Sequence, residues 1–132
     1  MLSPLSTAAP SGSLVERMQE TVLHSLAILA ALLTAADHWT TYLCLRRPVP
    51  GWDAVEANPV VAWLFELTGL VPGLMIDSGI TALAIAFILV TPMMSRVSRY
   101  LCLGVMTGAG GYAVANNLEA LSTLGLSPLG IG

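Results

Sequence analysis

Long apolar segments dominate this sequence and restrict it to a small set of folds. The first runs from Thr21 to Leu45, and its only acidic or histidine residues are His24, Asp37 and His38. A helix needs about 20 apolar residues to cross a bilayer, and this segment exceeds that length. Charged residues make up 10% of the chain, against about a quarter in a soluble domain. The sequence therefore predicts an integral membrane protein.

Breaks in the apolar pattern divide the chain into helices. Two arginines followed by prolines and a glycine end the first helix, because such residues do not continue a helix through lipid. Asn58-Pro59 is typical of a helix start, with Asn as the cap and Pro in the first turn. The segment from Gly69 to Gly73 separates the second and third helices. The predicted membrane helices are residues 21–45, 59–71, 73–94 and 100–121.

These boundaries predict an all-α integral membrane bundle of about four short helices. Residues 1–20 and 122–132 are expected to be irregular tails around a bundle at 21–121. Helix two would be ~20 Å long, less than a ~30 Å hydrocarbon core. It therefore either crosses a thinned bilayer or re-enters the membrane on one side, and we favour crossing.

Four crossings would place both arginine-bearing loops on the same side of the membrane. One loop carries Arg46 and Arg47, and the other carries Arg96 and Arg99. Arginine is enriched in cytoplasmic loops, so we expect this side to be cytoplasmic. The expected location is the inner (cytoplasmic) membrane.

Polar side chains within the apolar segments are the candidate functional residues, because an ionisable group inside a bilayer is costly unless it is paired. We expect one cluster beside the first loop and a second at the opposite face of the membrane. The first comprises Asp37, His38, Thr41 and Glu66, with Glu56 and Asn58 at the start of helix two. The second comprises Asp77, Asn116 and Asn117. A structural interpretation stays open for both, with Asp37 bonded to a neighbouring threonine and Asp77 favoured by a helix dipole.

Small residues recur along one face of helix four. They are Gly104, Gly108, Gly111 and Ala115. Such a stripe allows close approach of another helix. That helix belongs either to this chain or to another subunit, and the sequence is compatible with both.

Three short motifs resemble a family of small uncharacterised prokaryotic multi-pass membrane proteins. The motifs are Asp37-x-x-Thr40, Glu56-Ala-Asn58-Pro59 and the pair Asn116-Asn117. The second motif is the most specific of the three. The resemblance implies a helical membrane fold and names candidate residues without an activity. Asp77 departs from the pattern, because a basic residue is expected near the start of the third helix.

The small size and the small-residue stripe favour an accessory or structural subunit of a larger membrane complex, with other subunits or further copies of this chain as partners. A membrane-embedded enzyme or handler of protons, ions or metals is the first alternative, based on the carboxylates. A small oligomeric transporter is the second. The sequence names no metal or cofactor, since Cys44 and Cys102 are single and lack metal-ligand spacing. Five scattered arginines also argue against nucleic acid as a partner.

Overall fold

Four α-helices and no strand make up the described part of the chain, residues 13–46 and 49–130 of a computed structural model. The helices are α1 (Leu14–Leu45), α2 (Pro59–Thr68), α3 (Leu70–Val90) and α4 (Arg96–Thr123). The predicted all-α fold with four helices is confirmed. Residues 1–12 and 131–132 of the predicted tails, and Arg47 of the first loop, lie outside the described residues.

Helix α1 begins at Leu14, earlier than the predicted start at Thr21. Ser13 is its N-cap and forms a reciprocal pair with Glu16. The Ser13 hydroxyl accepts from the Glu16 amide at 3.3 Å, and the Glu16 carboxylate accepts from the Ser13 amide at 2.9 Å. This capping box satisfies two amides that the helix leaves unpaired. The part of the predicted tail between Leu14 and Glu20 is therefore helical.

Helix α2 is shorter than predicted and does not cross the bundle. It has 10 residues, about 15 Å, which is half of a ~30 Å hydrocarbon core. Gly69 ends it with φ of 87°, a conformation that glycine adopts without strain, and α3 begins at the next residue. Phe65 of α2 lies against Gly73 of α3. Asp77 near the start of α3 contacts His38 near the end of α1, so α3 begins at the end of the bundle where α1 ends. The prediction that helix two crosses is therefore wrong.

Helices α3 and α4 also differ from their predicted limits at the loop that joins them. α3 ends at Val90, before Thr91-Pro92, since a residue that precedes proline is disfavoured in a helix. α4 starts at Arg96, where the Ser95 hydroxyl accepts from the Ser98 amide at 3.1 Å.

Helices α1 and α4 run parallel, and α3 runs antiparallel to both. Gln19 near the start of α1 contacts Arg96 and Tyr100 near the start of α4. We call this the arginine end. Asp37 and Asn117, near the other ends of the same helices, are also bonded, and we call this the cavity end. Arg46 is the C-cap of α1 at the cavity end, whereas Arg96 and Arg99 lie at the arginine end. The prediction that both arginine pairs share one side is therefore wrong.

An apolar core joins the three long helices between these ends. Its buried residues are Leu23, Ala27, Ala30, Ile85, Ile88 and Leu103. A second cluster of Leu43, Cys44 and Leu121 packs the ends of α1 and α4. Among the described helices, α1 and α3 are long and apolar enough to cross a membrane. Only 17% of the most apolar window of each is buried, so most of their apolar surface faces outwards.

Candidate functional site

A cavity of about 380 Å³ opens at the cavity end, between the helices and the loop before α2. Its polar lining includes Asp37, His38, Thr41, Glu56, Asn58, Asp77, Asn116 and Asn117. The two predicted clusters are therefore one site. Because α2 does not cross, α3 begins beside the end of α1, and Asp77 faces His38 instead of lying at the opposite end.

Asn117 ties the end of α4 to the end of α1. Its Nδ2 group donates to Asp37 Oδ1 at 2.8 Å, to Thr40 Oγ1 at 3.1 Å and to Thr41 Oγ1 at 3.0 Å. The Thr40 hydroxyl donates to its own helix, to the Ala36 carbonyl at 2.9 Å, so its lone pair is free to accept. Asp37 Oδ2 has no hydrogen-bond partner among residues 13–46 and 49–130, which leaves it available to a ligand.

His38 joins α1 to α3. Its Nε2 lies 2.8 Å from Asp77 Oδ2, and its Nδ1 lies 2.6 Å from Ser78 Oγ. The Ser78 hydroxyl has a single proton, which it donates either to Nδ1 or to the Leu74 carbonyl at 2.8 Å. The contact of Nε2 with Asp77 is an ion pair when the imidazole is protonated.

Ser78, His38 and Asp77 follow the order of a serine hydrolase triad, in which the histidine accepts the proton of the nucleophile. In this chain the Leu74 carbonyl competes with His38 for the Ser78 proton. Ser78 is exposed and is not part of the cavity lining. The two contacts of His38 hold it between α1 and α3.

Glu56, Asn58 and Pro59 form a local cap at the start of α2. The Asn58 amide donates to Glu56 Oε1 at 2.9 Å, and Asn58 Oδ1 accepts from the Val60 amide at 3.0 Å. Pro59 occupies the first turn, as predicted. This cap directs the half-buried Glu56 towards the cavity, where Oε2 has no partner among the described residues.

Two sets of predicted residues lie elsewhere. Glu66 is exposed and does not line the cavity, because the short α2 turns that face outwards. A Cβ placed on Gly104 or Gly108 would meet nothing within 4 Å, so this part of the stripe does not contact another helix of the described chain. Ala115 is exposed as well, and Gly111 lies at the edge of the contact, 4.0 Å from Leu33.

The glycine that does contact α1 was not predicted. A Cβ on Gly110 would lie 3.1 Å from Leu33 Cβ. Leu103, Gly110 and Asn117 recur every seven residues, which places them on nearly the same face of a helix. That spacing identifies Gly110 only once the face of α4 that packs on α1 is known, because Gly104 and Gly111 have the same spacing. Ser78 and Tyr112, also near the site, have no comparable signal.

The cavity carries more acidic than basic groups. Three carboxylates line it, from Asp37, Glu56 and Asp77, against the single imidazole of His38. No described arginine is part of the lining. Within the described ranges, no three His, Cys, Asp or Glu side chains are spaced to hold a metal ion. The site has the charge to attract a cation without the compact ligand set of a metal centre.

Comparison of the chain with protein-family models, with curated proteins and with solved structures finds no match. The site must therefore be interpreted from its own geometry.

Proposed function

We propose that this chain is an integral membrane protein that binds a small organic cation, such as a protonated amine, in the polar cavity. The excess of carboxylates in the cavity is the observation that carries the proposal. Ligand pockets usually have volumes of about 300 to 1,000 Å³, and the cavity lies within that range. Asp37 Oδ2 and Glu56 Oε2 supply acceptors, and Tyr112 and Phe65 add aromatic surface that suits a cation.

Amine binding can be measured by calorimetry on the purified full chain in a neutral detergent. The titrants are primary, tertiary and quaternary amines, with carboxylic acids of equal size as controls. Glu56→Gln should weaken amine binding about tenfold or more, because a charge-assisted hydrogen bond is lost. Glu66→Gln removes an equal charge outside the cavity and should leave binding unchanged. Equal binding of acids and amines, or equal effects of the two variants, would contradict the proposal.

The membrane location rests on the outward apolar faces of α1 and α3. A soluble protein rarely leaves apolar patches of such extent uncovered. Leu32 of α1 and Leu83 of α3 are 62% and 71% exposed. The protein should resist extraction of membranes with alkaline carbonate, and release into the supernatant would contradict the location.

The arginine end is proposed to be cytoplasmic. It carries Arg17, Arg96 and Arg99, whereas Arg46 is the one described arginine at the cavity end. The excess of arginine at the arginine end then follows the positive-inside rule. Single cysteines at Met93 and Asp53, in a chain without the native cysteines, test it in intact bacteria. An impermeant thiol reagent should label position 53 and spare position 93, and the reverse pattern would contradict this orientation.

An accessory subunit is the second candidate, favoured by the open space beside Gly104 and Gly108. A helix of another subunit can approach closely at such positions. Mass spectrometry of proteins that co-purify in a gentle detergent tests this. Gly108→Leu should lower the yield of a co-purifying partner that binds at this face. A partner retained at full yield would contradict the role of the small-residue stripe. Membership of the family that the three motifs resemble also stays a prediction.

A further inference from the structure

We infer that the arginine end binds the phosphate of an anionic phospholipid headgroup. A second cavity of about 250 Å³ lies there, separate from the cation site. It is lined by Gln19, Glu20, Leu23, Met94, Arg96, Arg99 and Tyr100. The inference rests on the membrane location proposed above and is independent of amine binding.

Both arginines of this cavity hydrogen-bond to neutral groups. Arg99 Nη1 donates to the Leu89 carbonyl at 3.0 Å, and Nη2 donates to the Thr91 carbonyl at 2.6 Å. Arg96 donates to the side-chain oxygen of Gln19. Neither guanidinium lies within ion-pair distance of a carboxylate in the described chain, including Glu20.

Arg99 in particular carries an uncompensated charge in a half-buried position. Its Nε is buried and has no hydrogen-bond partner among the described residues. A charge removed from water is costly unless an opposite charge lies nearby. The two carbonyls hold the guanidinium at the edge of the cavity, so an anion in the cavity would lie beside it. Phosphate suits this position, because arginine donates to it through several N–H groups.

The surroundings favour a phospholipid over free phosphate. Leu23 and Met94 contribute apolar surface inside the cavity. Next to it, Val97 and Leu101 are exposed along the outside of the bundle. Acyl chains can cover these side chains while the headgroup lies beside the arginines, as at basic pockets between membrane helices. Inorganic phosphate would leave this apolar surface uncovered.

Native mass spectrometry of the full chain in neutral detergent tests the site. The probes are short-chain phosphatidylglycerol, phosphatidylcholine of equal chain length, and inorganic phosphate. We expect phosphatidylglycerol to bind more tightly than phosphatidylcholine. Arg96→Gln and Arg99→Gln should each weaken that binding roughly fivefold. Arg46→Gln removes the same charge at the cavity end and should leave the affinity unchanged.

Arg96→Gln is the decisive variant, because Arg99 also caps the end of α3 and its loss can unfold the chain. Equal binding of both lipids, or equal weakening by Arg96→Gln and Arg46→Gln, would overturn the inference. Competition by millimolar inorganic phosphate would overturn the lipid assignment and indicate a site for free phosphate. If the protein resists carbonate extraction but does not prefer phosphatidylglycerol, this inference fails while the proposed membrane location stands.

Discussion

Helix α1 contacts its two long neighbours in different ways. Against α4 it packs along most of its length, from the cluster of Leu23 and Leu103 to the cluster of Cys44 and Leu121, and Gly110 lies against Leu33 between them. Against α3 it relies on large apolar side chains, such as Ile85, and on the ionisable pair of His38 and Asp77.

The two contacts differ in the residues that form them. The α1–α4 contact has a small residue at its centre, and at one end the Asn117 amide donates to Asp37, Thr40 and Thr41, so much of its stability depends on close packing. The α1–α3 contact contains ionisable groups, whose side chains are 13% and 30% exposed for His38 and Asp77. It should be more sensitive to loss of a partner than to added volume. The following variants test that contrast by thermal unfolding in detergent.

Gly110→Leu should have the largest effect. A Cβ at this position already lies 3.1 Å from Leu33 Cβ, so a leucine must separate α1 from α4. Overpacking of this kind should cost about 3 kcal/mol of unfolding free energy. Gly108→Leu is the matched control and should change it by less than about 0.5 kcal/mol, because nothing lies within 4 Å. Equal effects would mean that packing does not distinguish the two faces of α4.

His38→Ala should come next, with a loss of about 2 kcal/mol. Removing one partner of a partly buried pair leaves the other without its partner, and the exposure of Asp77 reduces the cost. The double variant with Asp77→Ala should recover part of the loss. His24→Ala is the control, because among the described residues His24 bonds only to the Glu20 carbonyl of its own helix, at 2.8 Å. No recovery in the double variant would contradict a direct pairing.

Asn117→Ala should cost about 1.5 kcal/mol, because Asp37 Oδ1 loses its donor. The adjacent Asn116 provides a close comparison. It is exposed and forms no hydrogen bond in the described chain, so Asn116→Ala should have little effect on stability. If both variants unfold at the same temperature, the amide network does not stabilise the α1–α4 contact.

Gly73→Ala should have the smallest destabilising effect, about 1 kcal/mol. The new Cβ would lie 2.5 Å from Phe65 Cδ1, so the ring must move and α2 with it. Gly79→Ala on the same helix meets nothing within 4 Å and should raise stability by about 0.5 kcal/mol, because alanine favours a helix. A stabilising Gly73→Ala would show that α2 is not packed on α3 at this point.

The sequence alone determined most of the local structure. Asn58 and Pro59 start α2 as predicted, since a cap depends only on residues within one turn. The division near Gly69 was predicted too, because a glycine at positive φ ends a helix without help from distant residues. Most candidate residues of the cavity were also named from their position in apolar segments, and Glu56 and Asn58 were named from the predicted start of helix two.

The tertiary structure decided which of these residues meet and which faces are in contact. Asp77 faces His38 because α2 does not carry the chain to the opposite end of the bundle. Whether a short apolar helix reaches that end depends on its packing against α3. Small residues occur on two faces of α4, so composition could not distinguish Gly108 from Gly110. That choice depends on the rotation of α4 about its axis, which is fixed only when Leu103, Gly110 and Asn117 pack together against α1.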